Sequence, residues 1–153
     1  MNSFIDELET PIGILWIASD GERLREVSFR GPLPGERKRD PQGFSSRLQA
    51  YFKGDLEALD ALPAEGEGTP FQRSVWAALR KIPCGTTISY GELARRLGKP
   101  GASRAVGLAN GQNPNAIVVP CHRVIGADGS LTGYGGGLEK KRWLLLHEGA
   151  LLA

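Results

Sequence analysis

SYGELARRLGKPGASRAVGLAN, from Ser89 to Asn110, contains two short helices and the turn between them. Ser89 and Glu92 stand in a capping-box spacing, so a helix is expected from Tyr90 to Leu97. Gly98-Lys99-Pro100-Gly101 then breaks the chain direction. Ala102 to Asn110 resumes as a short helix rich in small residues. Two such helices joined by a glycine-containing turn form a helix-turn-helix pattern. Helical pairs of this kind also occur in proteins that bind nothing, so the pattern alone predicts an element and not a partner.

The surroundings extend this reading. Thr69, Pro70 and Gln72 carry N-cap, first-turn proline and capping-box signals. Phe71, Val75, Trp76 and Leu79 follow as an apolar stripe that ends at Pro83-Cys84-Gly85. Downstream, Gly111 to Asn115 is a turn cluster, and Ala116 to Val119 reads as a short strand. Asp128-Gly129 is a turn, Thr132 to Gly137 a glycine-rich loop, and Leu138 to His147 a last helix. The first thirty residues read differently. Phe4–Leu8, Ile12–Ala18 and Leu24–Phe29 are β-prone runs separated by turn signals, as in a small antiparallel sheet. Residues 31–42 are a loop by composition, Phe44 to Phe52 has helical spacing, and residues 62–69 read as a linker. Two domains are expected, 1–68 and 69–153.

The chain has 153 residues, 41% hydrophobic and 24% charged, in the range of globular proteins. No apolar run reaches the roughly 20 residues of a membrane span. The first residues lack a signal-peptide pattern. Two cysteines make no disulfide framework, and a reducing, cytoplasmic setting is expected. Charge is uneven: residues 1–69 carry eight Lys/Arg and thirteen Asp/Glu, residues 70–153 eleven and four. A basic half beside an acidic one suits a polyanionic partner, although a solvated basic surface gives the same count.

Pro120-Cys121-His122-Arg123-Val124-Ile125 carries the chemistry. A cysteine attacks as thiolate, and at its ordinary pKa only about 3% is ionised at neutral pH. An adjacent imidazole and a basic surround are expected to lower that pKa. Glu148, one of four acids in this half, is a candidate to orient His122. A thiol after an apolar strand also suits a buried small hydrophobe. A zinc site is disfavoured because Cys121 and His122 have no C-x-x-C partner. The loop from Gly133 to Gly137 lacks the Gly-Lys-Ser/Thr of a P-loop. No local protease signature is present. Cys84 has no acid or base beside it and reads as structural.

With Arg104-Ala-Val-Gly107, Asn113-Pro114, Ser89-Tyr90 and Trp143 to Gly149, this hexapeptide resembles the O6-alkylguanine-DNA alkyltransferases, the methylated-DNA–protein-cysteine methyltransferases. The resemblance covers residues 69–153; residues 1–68 match in layout only. It implies an α+β fold, with an RNase H-like N-terminal antiparallel-sheet lobe and a C-terminal helical lobe with a winged helix-turn-helix. It implies direct-reversal DNA repair: irreversible, single-turnover transfer of an alkyl group from O6-alkylguanine, and from O4-methylthymine, to Cys121.

The implied roles are these. His122 would take the thiol proton through water, and Glu148 would hold His122. Tyr90 would lie near the phosphate 3′ to the flipped nucleotide, rotating it and protonating the ring. Asn113 would link the recognition helix to the thiol segment. The carbonyls of Cys121 and Val124 would accept from the guanine amine. Tyr134 would wall the pocket, with Gly135 and Gly136 in the loop that closes it. Arg104 would fill the gap left in the base stack. Ala102, Ala105, Gly107 and Ala109 would permit close approach to the minor groove, and Arg123 would add a DNA contact. No metal or other cofactor is implied. The partner would be double-stranded DNA containing alkylated bases, with no membrane, and the protein a monomer. Cooperativity on DNA is not legible in the sequence.

A non-enzymatic binder of alkylated DNA, a helix-turn-helix regulator and a multiple-turnover thiol hydrolase are the competing readings. The presence of Cys121 weighs against the first. Some relatives carry serine where Gly135 stands and proline where Ala116 stands. Their absence here predicts that methylated DNA inactivates the protein faster than free O6-benzylguanine does. Comparing the two rates checks this, and an equal or faster benzyl reaction contradicts it.

Overall fold

The computed structural model describes residues 4–152, with the backbone alone at Pro41. Residues 1–3 and 153, included in the expected domain limits, lie outside the described residues. The chain divides into two compact units, Met1–Glu67 with Pro114–Val118, and Gly68–Asn113 with Val119–Ala153. A division at one linker does not anticipate the return of Pro114–Val118 to the first unit.

In the first unit, β1 (Phe4–Thr10), β2 (Gly13–Ser19) and β3 (Leu24–Ser28) form an antiparallel meander. The register pairs Leu8 with Leu15 and Asp6 with Ile17, and Ile17 with Val27. Alternation along the strands puts these side chains on one face, and Leu15, Ile17 and Val27 are buried. Helix α1 (Phe44–Phe52) contributes Phe44, Leu48 and Tyr51 to the same core. Asp6 Oδ2 accepts hydrogen bonds from the Ser45 hydroxyl at 2.5 Å and from the Asp40 N–H at 2.8 Å.

Two expectations fail here. Glu36–Arg37 is β4, paired in parallel with β1, inside the stretch read as loop. Two residues among prolines and glycines give no periodicity to detect. Ala116 to Val119 is not a strand. Asn115 makes one isolated bridge to Val27, and the Val118 N–H then donates to the Ala116 carbonyl across Ile117, whose φ is 71°. That is a γ-turn, and a positive φ at a β-branched residue is strained. The apolar run reflects burial rather than sheet pairing.

The second unit opens with α2 (Pro70–Leu79). Its capping box is complete: Thr69 Oγ1 accepts from the Gln72 N–H at 3.1 Å, and Gln72 Oε1 accepts from the Thr69 N–H at 2.8 Å. Helix α3 (Tyr90–Arg96) has only half of its expected box. Ser89 Oγ accepts from the Glu92 N–H, but the Glu92 carboxylate turns to Arg95 and Arg96 instead. Helix α4 (Ser103–Gly111) packs on α2 and α3 through Val106, Ala109 and Asn110. The Trp76 indole N–H donates to the Ala109 carbonyl at 2.9 Å and fixes α4 on α2. Two short parallel strands, β5 (Ile88–Ser89) and β6 (Val124–Ile125), and helix α5 (Leu138–His147) complete the unit. No helix among the described residues is long and apolar enough to cross a membrane.

Candidate active site

The cysteine is delivered by a tight turn. At Pro120, φ is −82° and ψ is 64°, and the Cys121 N–H donates to the Val119 carbonyl at 2.8 Å. This is an inverse γ-turn, to which the proline ring is already matched in φ. Cys121–Arg123 then forms one 3₁₀ turn in which all three residues are buried. Asn113 holds the turn from outside: its Nδ2 donates to the Val119 carbonyl at 2.8 Å, and its side chain also hydrogen-bonds the Cys121 thiol. The Asn110 amide donates to the Cys121 carbonyl at 3.4 Å.

Glu148 anchors the other side. It is the C-cap of α5, and a Schellman motif fixes it: Gly149 N–H to the Leu146 carbonyl and Ala150 N–H to the Leu145 carbonyl, with Gly149 at φ 79°. A carboxylate at a helix C-terminus faces the negative end of the dipole, so it needs strong partners. His122 Nε2 lies 2.8 Å from Glu148 Oε2, both side chains being fully buried. Arg123 donates from Nε to Oε1 at 2.9 Å and from the Nη2 atom to Oε2 at 3.0 Å. Its Nη1 donates to the Ile82 carbonyl at 2.8 Å. Burial alone would raise the Glu148 pKa, but the His122 and Arg123 hydrogen bonds outweigh it and hold the carboxyl well below its usual range.

An ionised Glu148 accepts only, so the imidazole places its hydrogen on Nε2 and keeps Nδ1 as acceptor. Nδ1 is buried and bonds no protein atom among the described residues. Burial lowers the His122 pKa despite Glu148, so at neutral pH the ring is neutral. Burial likewise pushes the Cys121 thiol up, against the Asn113 hydrogen bond and the Lys141 charge, which favour the thiolate. The lowered thiol pKa expected from the neighbouring imidazole is therefore not the outcome. A sequence shows the basic neighbours but not the loss of water.

Lys141 and Asn110 escaped the sequence reading. Lys141 is fully buried, and its ammonium donates to the Val124 carbonyl at 2.7 Å and the Thr132 carbonyl at 2.6 Å. Burial lowers its pKa to about 8, while the Cys121 charge opposes that fall. A signal was present: Lys141 shares the i, i+3, i+4, i+7 stripe of α5 with Leu144, Leu145 and Glu148.

An open cleft of about 610 Å³ is lined by Tyr90, Arg104, Gly107, Thr132, Tyr134 and Gly135, among others. The Tyr90 hydroxyl lies 3.3 Å from the Thr132 carbonyl. The Tyr134 hydroxyl is buried and has no hydrogen-bond partner among the described residues, and burial together with the Cys121 charge raises its pKa. Gly136 is half-buried and Val124 fully buried. Arg104 and Ala105 are exposed on α4, with Ala102 and Gly107 half-buried. Two expected DNA contacts are corrected. Arg123 is turned inward onto Glu148, with 10% of its side chain exposed. Ala109 is 2% exposed, because helical periodicity puts it with Val106 and Asn110 against α2. No group of three or more metal-ligating side chains occurs among the described residues.

The pKa shifts fix the acid response. A depressed carboxylate stabilises the fold above its ordinary value near 4.5, and that contribution is lost as pH falls. A depressed imidazole weakens the fold as pH falls below its ordinary 6.5, because the unfolded chain then binds the proton. Glu148→Gln should destabilise the protein by about 3 kcal/mol at pH 7 by removing the carboxylate that neutralises the buried Arg123. Below pH 5 the variant should lose stability less steeply than the parent. Urea unfolding across pH 4–7 checks both, and parallel curves contradict the account.

Residues 70–150 match the 6-O-methylguanine DNA methyltransferase, DNA binding domain, and residues 5–65 the ribonuclease-like domain of the same proteins. A Shigella flexneri methylated-DNA–protein-cysteine methyltransferase is 48% identical, with 96% of each chain covered. One from Methanosarcina acetivorans is 50% identical, covering 93% of this chain and 96% of its own. The structure of Mycobacterium tuberculosis OGT in complex with DNA superposes with a TM-score of 0.86 at 44% identity, over 96% of this chain and 93% of that one. By both its halves and nearly its whole length, the chain belongs to the methylated-DNA–protein-cysteine methyltransferase family.

Proposed function

We propose that this protein repairs DNA by moving an alkyl group from O6 of guanine, and from O4 of thymine, irreversibly onto Cys121. The observation that carries the reading is a buried thiol beside a carboxylate-bound imidazole, in a helical unit with an open cleft. An O6 substituent cannot meet a buried sulfur while the base is stacked, so the nucleotide is flipped out of the duplex. The cleft beside α4 receives it. Arg104, at the rim, occupies the stack in its place and contacts phosphate. The uncapped N-terminus of α4, free of acidic residues in its first turn, favours phosphate nearby.

With the base extruded, the Cys121 and Val124 carbonyls accept from the guanine amine. Asn110 and Lys141 already hold these carbonyls in place, and the Cys121 carbonyl also accepts from the Val124 N–H. Tyr134 walls the base, and the Gly135-Gly136 backbone closes the O6 side. His122 Nδ1 takes the Cys121 proton through one water, and the Glu148 carboxylate stabilises the imidazolium that results. Lys141 stabilises the thiolate as it forms. The sulfur then bonds the alkyl carbon as the carbon–O6 bond breaks, and the electron pair leaves with guanine. Tyr90, released from Thr132, protonates the leaving ring and steers the 3′ phosphate. The product is a thioether that no group in the site can cleave, so each molecule acts once. A monomer working in the cytoplasm, where thiols stay reduced, suits this chemistry.

Intact mass after incubation with O6-methylguanine duplex should rise by one methyl group, mapped to the peptide containing Cys121. Cys121→Ala should keep DNA binding and lose methyl acceptance. An unchanged parent mass, or repeated turnover, overturns the proposal.

A further inference from the structure

The outward face of α4 carries one large apolar side chain that the proposed reaction leaves unused. Leu108 is 65% exposed, while Val106, Ala109 and Asn110 bury the opposite side of the helix. Its neighbours on that face are Arg104, one turn earlier, and Ala105, Gly111 and Gln112. The small residues let Leu108 stand clear of the surface. Helix α4 contains no acidic residue, so nothing on this face repels a polyanion. Arg104, Gly107 and Gly111 line the cleft, which makes Leu108 continuous with its rim. One leucine between an arginine and glycines is too little apolar surface for a protein partner. A minor groove suits it better, since apolar side chains, leucine among them, enter there and loosen base steps.

We propose that Leu108 is an apolar wedge that enters the DNA minor groove beside Arg104. This rests on duplex DNA being the partner. Four residues of helix separate the two side chains by about 6 Å, one to two base steps. Arg104 would act at the step that loses its base, and Leu108 at the neighbouring step. The wedge loosens stacking there and lowers the cost of extrusion. It forms no bond with the lesion, so it assists any alkylated base alike.

The test uses the full-length chain, its Leu108→Ala and Leu108→Met variants, an undamaged duplex, an O6-methylguanine duplex and free O6-benzylguanine. Leu108→Ala should weaken binding to the undamaged duplex about fivefold to tenfold. It should slow transfer from the lesion duplex by at least that factor, and the slope of log affinity against log salt should not change, because no phosphate contact is lost. Leu108→Met, similar in volume, should keep most of the affinity. The rate with free O6-benzylguanine should match the parent. Parent-like DNA affinity in Leu108→Ala, or an equal fall in the free-base rate, overturns the wedge. A parent chain that binds the duplex but gains no methyl group defeats the alkyltransferase reading instead, and the binding comparison still decides the wedge.

Discussion

The Glu148 carboxylate stands at the negative end of α5, stripped of water, and is held there by His122 and Arg123. Either partner alone would leave it short of donors. Together they supply three close contacts, and Arg123 also ties the cluster to the Ile82 carbonyl. Breaking a buried pair of this kind costs far more than forming it gains. Consecutive residues in one 3₁₀ turn therefore divide the work: Arg123 neutralises the acid that holds His122, and in the reaction we propose Cys121 meets the substrate while His122 relays the proton. A one-residue shift of this turn would put a cation where the imidazole belongs.

The same burial that makes the cluster rigid restrains the sulfur. Lost solvation opposes the thiolate, and Asn113 and Lys141 oppose that loss only in part. A thiol kept in this condition reacts slowly with stray electrophiles. In the proposed reaction, alignment with a bound alkyl carbon supplies what thiolate abundance does not, through proximity and fixed donors. In the single-use reaction we propose, this restraint matters more than speed, because every adventitious alkylation would remove a molecule.

Much of this was legible in the chain. The box at Thr69 and Gln72 and the extents of α1 and α5 follow from local chemistry, since each depends on neighbours within one turn. His122 with Glu148 was also legible, because a base in this hexapeptide needs an orienting acid and few acids are available. Four features were not. Strand β4 has two residues and no period. The run before Val119 looked β-prone because its residues are apolar, yet Ile117 takes a positive φ. Arg123 looked like a DNA contact because sequence gives charge without direction, and its side chain points into the core. Lys141 was hidden for the converse reason: a lysine on an apolar stripe reads as surface until its two carbonyl partners are known.

The most direct test of the central claim is the nitrogen NMR spectrum of the His122 ring at neutral pH, with Glu148→Gln as the assignment control. The account predicts a hydrogen on Nε2, kept there by the Glu148 carboxylate, and a bare Nδ1 able to accept from the thiol side. A hydrogen on Nδ1 with a bare Nε2 would mean that Glu148 does not orient the base, and the account would be wrong.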